Sequence, residues 1–220
     1  MEKIRLIYSK SKLALYLTND EVEIFFKKAL KKSHINFDEN KKIAEFALYV
    51  ERGMESTGEV AEITLLEKVD ISYLMKALNE NLPEGLTILS AKEVEPLSLT
   101  KLNKRVVSSD YQIQFNYTKE LLANKTQTEI NALEKKYENR IKEYLSNDEV
   151  LITKKSKNRM EKIDIKPCIL DYKYEYNVLN LELSNNNEMS VSPEDLMEGF
   201  SEYIDDKVYF NIKRTKINIE

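Results

Sequence analysis

The densest run of residues able to do chemistry in this sequence is basic. Lys154, Lys155, Lys157, Arg159, Lys162 and Lys166 follow one another closely, and Lys213 and Arg214 come near the end. Lysine and arginine neutralise phosphates, which gives salt-sensitive and largely sequence-independent attraction to nucleic acid. The first six lie between short apolar runs, a pattern that predicts a hairpin between two strands. Lys213 and Arg214 fall on the last predicted strand, where the edges of neighbouring strands bring such groups together. Tyr172, Tyr174 and Tyr176 alternate nearby and predict one sheet face that offers rings for bases to stack on. The plain alternative is a solvated charged hairpin with tyrosines at the edge of a core. The signature sequences of an RNA-recognition motif are absent.

Other reactive types are scarce. Cys168 is the single cysteine and His34 the single histidine. One cysteine cannot hold an iron–sulfur cluster, which needs several thiolates. Cys168 follows Pro167 in a strand-like run with no histidine close in sequence, so it reads as a buried, inert thiol rather than a nucleophile. His34 follows a helix end rich in lysine and reads as a helix-terminal or surface group. Alone, it rules out two-histidine zinc sites. Asp20, Glu21 and Glu23 cluster where a helix should begin, and carboxylates are favoured there by unpaired N–H groups and the helix dipole. Gly53 and Gly58 match neither nucleotide-binding fingerprint. No catalytic residue, metal or cofactor is assigned from these patterns.

The totals limit what the chain can be. Its 220 residues suffice for one large domain or two small ones. The formal net charge is -4, so any nucleic-acid site has to be a local patch rather than a property of the whole surface. No apolar run approaches the roughly 18 residues of a membrane span. The opening Met1-Glu2-Lys3-Ile4-Arg5 lacks the apolar stretch of a secretion signal, and the lone cysteine forms no internal disulfide. The expectation is a cytoplasmic protein with no membrane partner.

The elements that must position the basic run follow from periodicity. Ile4–Tyr8 alternates as a strand. Thr18, with Glu21 three residues on, predicts a capping box. Val22, Phe25, Phe26 and Leu30 then form an apolar stripe at helical spacing. Strands follow at Ile43–Tyr49 and Glu59–Leu66, with Gly53 and Gly58 read as turn residues between them. A helix over Ser72–Asn81 stops at Pro83-Glu84-Gly85, and Leu86–Val94 reads as a strand. The order strand, helix, strand, strand, helix, strand is the ferredoxin-like plan. The second half repeats it. A strand at Tyr111–Tyr117 precedes a long helix over Thr128–Leu145. Strands at Val150–Lys154, Ile163–Tyr174 and Leu179–Leu183 come next. Ser192 caps a helix that opens with Pro193, Glu194 and Asp195, and Val208–Ile219 closes as a strand. The predicted fold class is α+β: two tandem ferredoxin-like (βαββαβ) units with antiparallel sheets and helices packed on one face. They cover residues 1–97 and 108–220, and the second carries the basic hairpin. Pro96 lies in the segment that joins them.

Several stretches resemble a known family. They are Lys3-Ile4-Arg5-Leu6-Ile7-Tyr8-Ser9-Lys10, Leu17, and Phe26-Lys27-Lys28-Ala29-Leu30-Lys31-Lys32. Met54-Glu55-Ser56-Thr57-Gly58-Glu59 and Leu82-Pro83-Glu84-Gly85-Leu86 continue the series. Thr153-Lys154-Lys155-Ser156-Lys157, Ile163-Asp164-Ile165-Lys166-Pro167 and Ile212-Lys213-Arg214-Thr215 complete it. In order and spacing these resemble the radical-SAM-linked proteins, bacterial chains found as a C-terminal extension of radical-SAM proteins or encoded beside them. The chain departs from that pattern twice. Thr18-Asn19-Asp20-Glu21 stands where the family has a Ser-His-Leu-Asp-like stretch, and Phe37-Asp38-Glu39-Asn40-Lys41-Lys42 lacks the family's glycine- and proline-containing loop.

The resemblance implies a radical-SAM partner. With the basic hairpin, it gives the expectation of a non-catalytic accessory module that also contacts RNA. Two alternatives stand beside it. One is an RNA-processing or RNA-modifying enzyme that uses His34 or a carboxylate as proton carrier. The other is a purely structural protein-interaction domain with an available sheet edge.

Overall fold

The computed structural model describes residues 1–49, 52–95, 100–116, 125–156, 159–185 and 191–220, without the side chains of 155, 156 and 159. Two compact units emerge: residues 1–107 with 213–220, and residues 108–212. Residues 213–220 thus group with the first unit, unlike the 108–220 span read from the sequence.

In the first unit, β1 (Glu2–Lys10) is followed by α1 (Asn19–Lys32), β2 (Ala44–Phe46), β3 (Glu55–Leu65), α2 (Ile71–Asn81) and β4 (Leu86–Glu93). The strands lie in the order β4-β1-β3-β2, and every neighbouring pair is antiparallel. Ile4, Leu6 and Tyr8 alternate onto one face of β1. There they pack with Val22, Phe26 and Leu30 of α1 and Leu74 and Leu78 of α2 in a single core. Tyr8 meets Phe26 edge to face at 5.8 Å. Each helix start is chemically set. Thr18 Oγ1 accepts from the Glu21 amide at 3.3 Å, and the Glu21 carboxylate accepts from the Thr18 amide at 2.7 Å. Asp70 caps α2 by accepting from the Tyr73 amide. Such a cap contributes about 1 kcal/mol.

β3 is long enough to hold two partners on one edge. Its C-terminal half takes β2. Its N-terminal residues Glu55 and Ser56 pair in parallel with Lys213 and Arg214 of β10 (Tyr209–Ile219). Gly58 therefore lies inside β3 and not in the turn expected for it. A Cβ at that position would sit 2.2 Å from the Thr215 carbonyl oxygen. Gly53 is a turn residue, with φ of +90°.

In the second unit, β5 (Val106–Asn116) leads to α3 (Gln127–Ser146), β6 (Leu151–Ser156), β7 (Arg159–Asp164), β8 (Ile169–Glu175), β9 (Val178–Ser184) and α4 (Pro193–Ile204). β5, β9 and β8 lie in that order and are antiparallel. Phe115 is the hub of the core, with Tyr174 at 5.4 Å, Phe200 at 6.1 Å and Tyr137 at 6.4 Å. Capping boxes open both helices, at Thr126 with Glu129 and at Ser192 with Asp195. The strand expected over Ile163–Tyr174 is split. Pro167 has no N–H for a ladder, and a 3-10 turn over Lys166–Cys168 separates β7 from β8. β6 and β7 pair with each other and, among the described residues, with no other strand.

Candidate functional site

The basic run occupies the β6–β7 hairpin, whose base is tied down at several points. Asp164 Oδ1 accepts from the amides of Val150 at 2.8 Å and Lys166 at 2.9 Å. Tyr144 of α3 donates its hydroxyl to the Leu151 carbonyl at 3.1 Å. Thr153 Oγ1 donates to Glu202 of α4 at 2.8 Å. Ile152 and Ile165 are buried there. The hairpin is thus held by both helices at its base.

Its basic side chains divide by engagement. Lys154 pairs with Asp195 at 3.4 Å. Lys166 donates to the Leu145 carbonyl at 2.5 Å, which suits a cation at a helix C-terminus. Lys162 is exposed, and among the described residues its ammonium has no hydrogen-bond or ion-pair partner. Lys157 and the side chains of Lys155 and Arg159 lie outside the described residues.

Lys213 and Arg214 belong to the first unit. Lys213 pairs with Glu55 at 3.3 Å. Arg214 is 4% exposed and pairs with Glu59, itself 1% exposed, at 3.3 Å. A phosphate cannot reach a guanidinium so placed, which corrects the expectation that Arg214 belongs to a basic surface. The three tyrosines do not form one exposed row either. Tyr174 is buried against Phe115 and donates to Asn177 at 3.0 Å, Tyr172 is half-buried, and Tyr176 stands 96% exposed in the turn after β8. That turn holds Tyr176 at a φ of 51°, off the strand alternation.

A cavity of about 290 Å³ opens at the hairpin base. Tyr144, Ile152 and Gly199 line it beside Tyr203, with Thr153 and Glu202 at the wall. Lys162, Glu149, Asn147 and Leu151 complete the lining. Thr153 and Lys162 are cross-strand partners, so the hairpin register sets them side by side. Burial pushes the Tyr144 phenol up, and the Glu202 charge adds to the shift, so it stays protonated and donates. The acidic lining residues carried no sequence signal, because Glu149 and Glu202 come from separate segments.

The first unit holds a buried polar cluster. Glu59 of β3 lies directly across from Tyr8 of β1, and Lys10 is fully buried on the same face. Lys10 donates to the Leu17 carbonyl at 2.6 Å. Burial pushes its ammonium down, and Glu59 works against that. Burial likewise pushes the Tyr8 phenol well up.

A family described as "Uncharacterized protein conserved in bacteria" (DUF2344) matches residues 3–193. The chain belongs to that family. No curated protein matches it. Among solved structures, a chain of "Crystal Structure of a Cbf5-Nop10-Gar1 Complex" aligns at a TM-score of 0.46 with 9% identity. The alignment covers 97% of this chain and 48% of that one, so the chain spans about half its length. "Crystal Structure of an Unknown Protein from Galdieria sulphuraria" aligns at 0.29 with 11% identity, over 97% of each chain.

In this DUF2344 member the residues Thr18-Asn19-Asp20-Glu21 form the capped start of α1, and Asn19 donates to the Leu48 carbonyl at 3.0 Å. His34 follows α1 at a φ of 55° and is exposed. Cys168 is 4% exposed, and burial, with Asp164 adding, pushes its thiol up despite Lys154. Such a thiol is protonated at neutral pH and a poor nucleophile. No helix among the described residues is long and apolar enough to cross a membrane. No three His, Cys, Asp or Glu side chains gather as a metal site among the described residues.

One further charge cluster in the DUF2344 chain is fully engaged. Glu62 takes Lys3 at 2.7 Å, Arg5 at 2.7 and 3.0 Å, and Arg105 at 3.6 Å. Burial alone would raise its carboxyl. The hydrogen bonds and charges of Lys3 and Arg5 outweigh burial and hold it below the usual glutamate range. A carboxyl depressed by folding stabilises the protein above its unfolded value, and that contribution fades as pH falls through the folded value. Glu62→Gln should therefore lower unfolding stability at pH 7 by about 1–3 kcal/mol. In urea titrations the gap to wild type should close as pH drops below the ordinary glutamate range. A gap independent of pH would contradict this role.

Proposed function

We propose that this chain is a non-catalytic module of a radical-SAM system, and that it contacts RNA through the β6–β7 hairpin. The resemblance to radical-SAM-linked proteins supplies the partner. The observation that carries the RNA reading is the hairpin itself: a two-stranded element pairing only with itself among the described residues. It holds six Lys or Arg against Glu161 and Asp164 over residues 151–166. Lys162 is unengaged there, and the Lys154–Asp195 pair is partly exposed, so it holds Lys154 by only about 0–1 kcal/mol. With an overall charge of -4, phosphate attraction has to come from a local patch, and the hairpin is the densest basic run in the sequence. We read both units as ferredoxin-like. The antiparallel order β4-β1-β3-β2 supports this in the first, and β5-β9-β8 in the second.

The reading is tested with a labelled single-stranded RNA in filter-binding titrations. Wild type should bind at low salt and weaken steeply as salt rises. The triple variant K154E/K155E/R159E should lose at least about tenfold in affinity. Its salt slope should fall by roughly 0.7 for each phosphate contact removed. No retention of RNA by wild type at low salt, or equal retention by the variant, ends the RNA reading. Co-expression with the radical-SAM partner should still give a complex with the triple variant, and failure of wild type to co-purify with it ends the partner half.

A further inference from the structure

The cavity at the hairpin base carries unused hydrogen-bonding capacity, and its balance is unusual for a surface beside so many lysines. Thr153 occupies only Oε2 of Glu202. Among the described residues, Oε1 of Glu202, the carboxylate of Glu149, the ammonium of Lys162 and the amide of Asn147 have no side-chain partner. The floor is different in kind. Tyr144 and Tyr203 approach at 5.1 Å between ring centroids, and Ile152 is buried beside them. Gly199 keeps this floor flat, because a Cβ there would lie 2.6 Å from Tyr144 Oη and 2.7 Å from Ile152 Cγ2. A volume of about 290 Å³ is at the small end of ligand pockets.

A phosphate does not fit this lining, because two carboxylates would repel it. A planar, uncharged ring with both donors and acceptors on its rim does. We infer that this cavity receives one unstacked base of a single-stranded RNA, and that guanine is the base it fits. The inference rests on the RNA reading of the hairpin and names what that surface would select. Guanine has adjacent N1–H and N2–H donors, which one carboxylate takes together. Its O6 and N7 accept from a lysine. Adenine and cytosine offer a single amino group beside an acceptor, and uracil offers one N–H flanked by two carbonyl oxygens. Against those edges a carboxylate meets lone pairs. Glu202, already oriented by Thr153, takes the donor pair, and Lys162, across the hairpin from Thr153, takes O6. Unstacked bases of single-stranded RNA are read in this way, by ring contact and rim hydrogen bonds. The lysines toward the hairpin tip are left for the backbone.

The test uses the full chain and the four nucleoside monophosphates in calorimetric titrations. GMP should bind saturably, and at least about tenfold more tightly than AMP, CMP or UMP, as one good bidentate contact gives. Glu202→Gln should abolish that preference while the melting temperature stays as in wild type. K154E/K155E/R159E should keep the preference. Absence of saturable GMP binding in the millimolar range, equal binding of all four, or an unchanged preference in Glu202→Gln overturns the pocket. If long RNA still binds in that case, the hairpin reading survives alone. If GMP binds with its preference but long RNA does not, the cavity takes guanine as a free nucleotide only, and both the RNA assignment of the cavity and the hairpin reading fall.

Discussion

Replacing Arg214 by alanine should cost about 3–5 kcal/mol of folding stability, because it strands a buried carboxylate. Glu59 is 1% exposed and receives Arg214 Nη1 at 3.3 Å on Oε2, while Oε1 has no hydrogen-bond partner. Among the described residues the guanidinium is the only ion-pair partner of Glu59, and the nearby Lys10 ammonium is itself pushed down by burial. The pair is not irreplaceable. Arg214→Met combined with Glu59→Leu removes both charges and keeps the volume, so it should recover at least about half of the loss. Lys10 would remain buried and would titrate lower still. Chemical-denaturation midpoints of wild type, Arg214→Ala and the double variant measure this. An Arg214→Ala midpoint within error of wild type would show that the contact contributes nothing to the fold.

What could be read from sequence was what local physics decides. The capping boxes at Thr18 with Glu21 and at the Ser192 helix start use residues three positions apart, and both helices begin there. The helix over Ile71–Asn81 ends before Pro83, a residue that cannot continue it. The basic run falls on a hairpin because apolar residues bracket it. Misreadings arose where a distant segment decides the outcome. Gly58 sits between two predicted strands and reads as a turn, until a strand from the far end of the chain passes against it. Arg214 reads as surface charge because its partner Glu59 is 155 residues away. Tyr174 shares the alternation of Tyr172, but Phe115, on another strand, draws it into the core. Glu149, Glu202 and Lys162 lie in three segments, and only folding brings them to one cavity. The prediction of a single strand over Ile163–Tyr174 had a local remedy, since Pro167 marks the break in the sequence itself.

Gly58→Val should be at least as damaging as Arg214→Ala, and for a reason that no charge change can repair. β3 and β10 approach so closely at this residue that an added Cβ would lie 2.2 Å from Thr215 O and 2.5 Å from the Lys216 Cα. Both are backbone atoms and cannot rotate away as a side chain would. A folded Gly58→Val chain would have to move β10 off the edge of β3. That displacement breaks the Lys213–Glu55 and Arg214–Glu59 pairs and exposes Ile217, which packs with Val60, Leu102 and Val106. The expected cost is about 3 kcal/mol or more, enough to take much of a typical domain's stability. Gly53→Ala is the matched control. It stands at a φ of +90° with nothing within 4 Å of an added Cβ, so it carries only the conformational penalty of about 1 kcal/mol. Thermal melts of the two variants should differ by several degrees. Hydrogen exchange should show the amides of residues 213–219 losing protection in Gly58→Val but keeping it in Gly53→Ala. Equal melting temperatures, with residues 213–219 equally protected in both, would mean that β10 does not rest on Gly58 in solution.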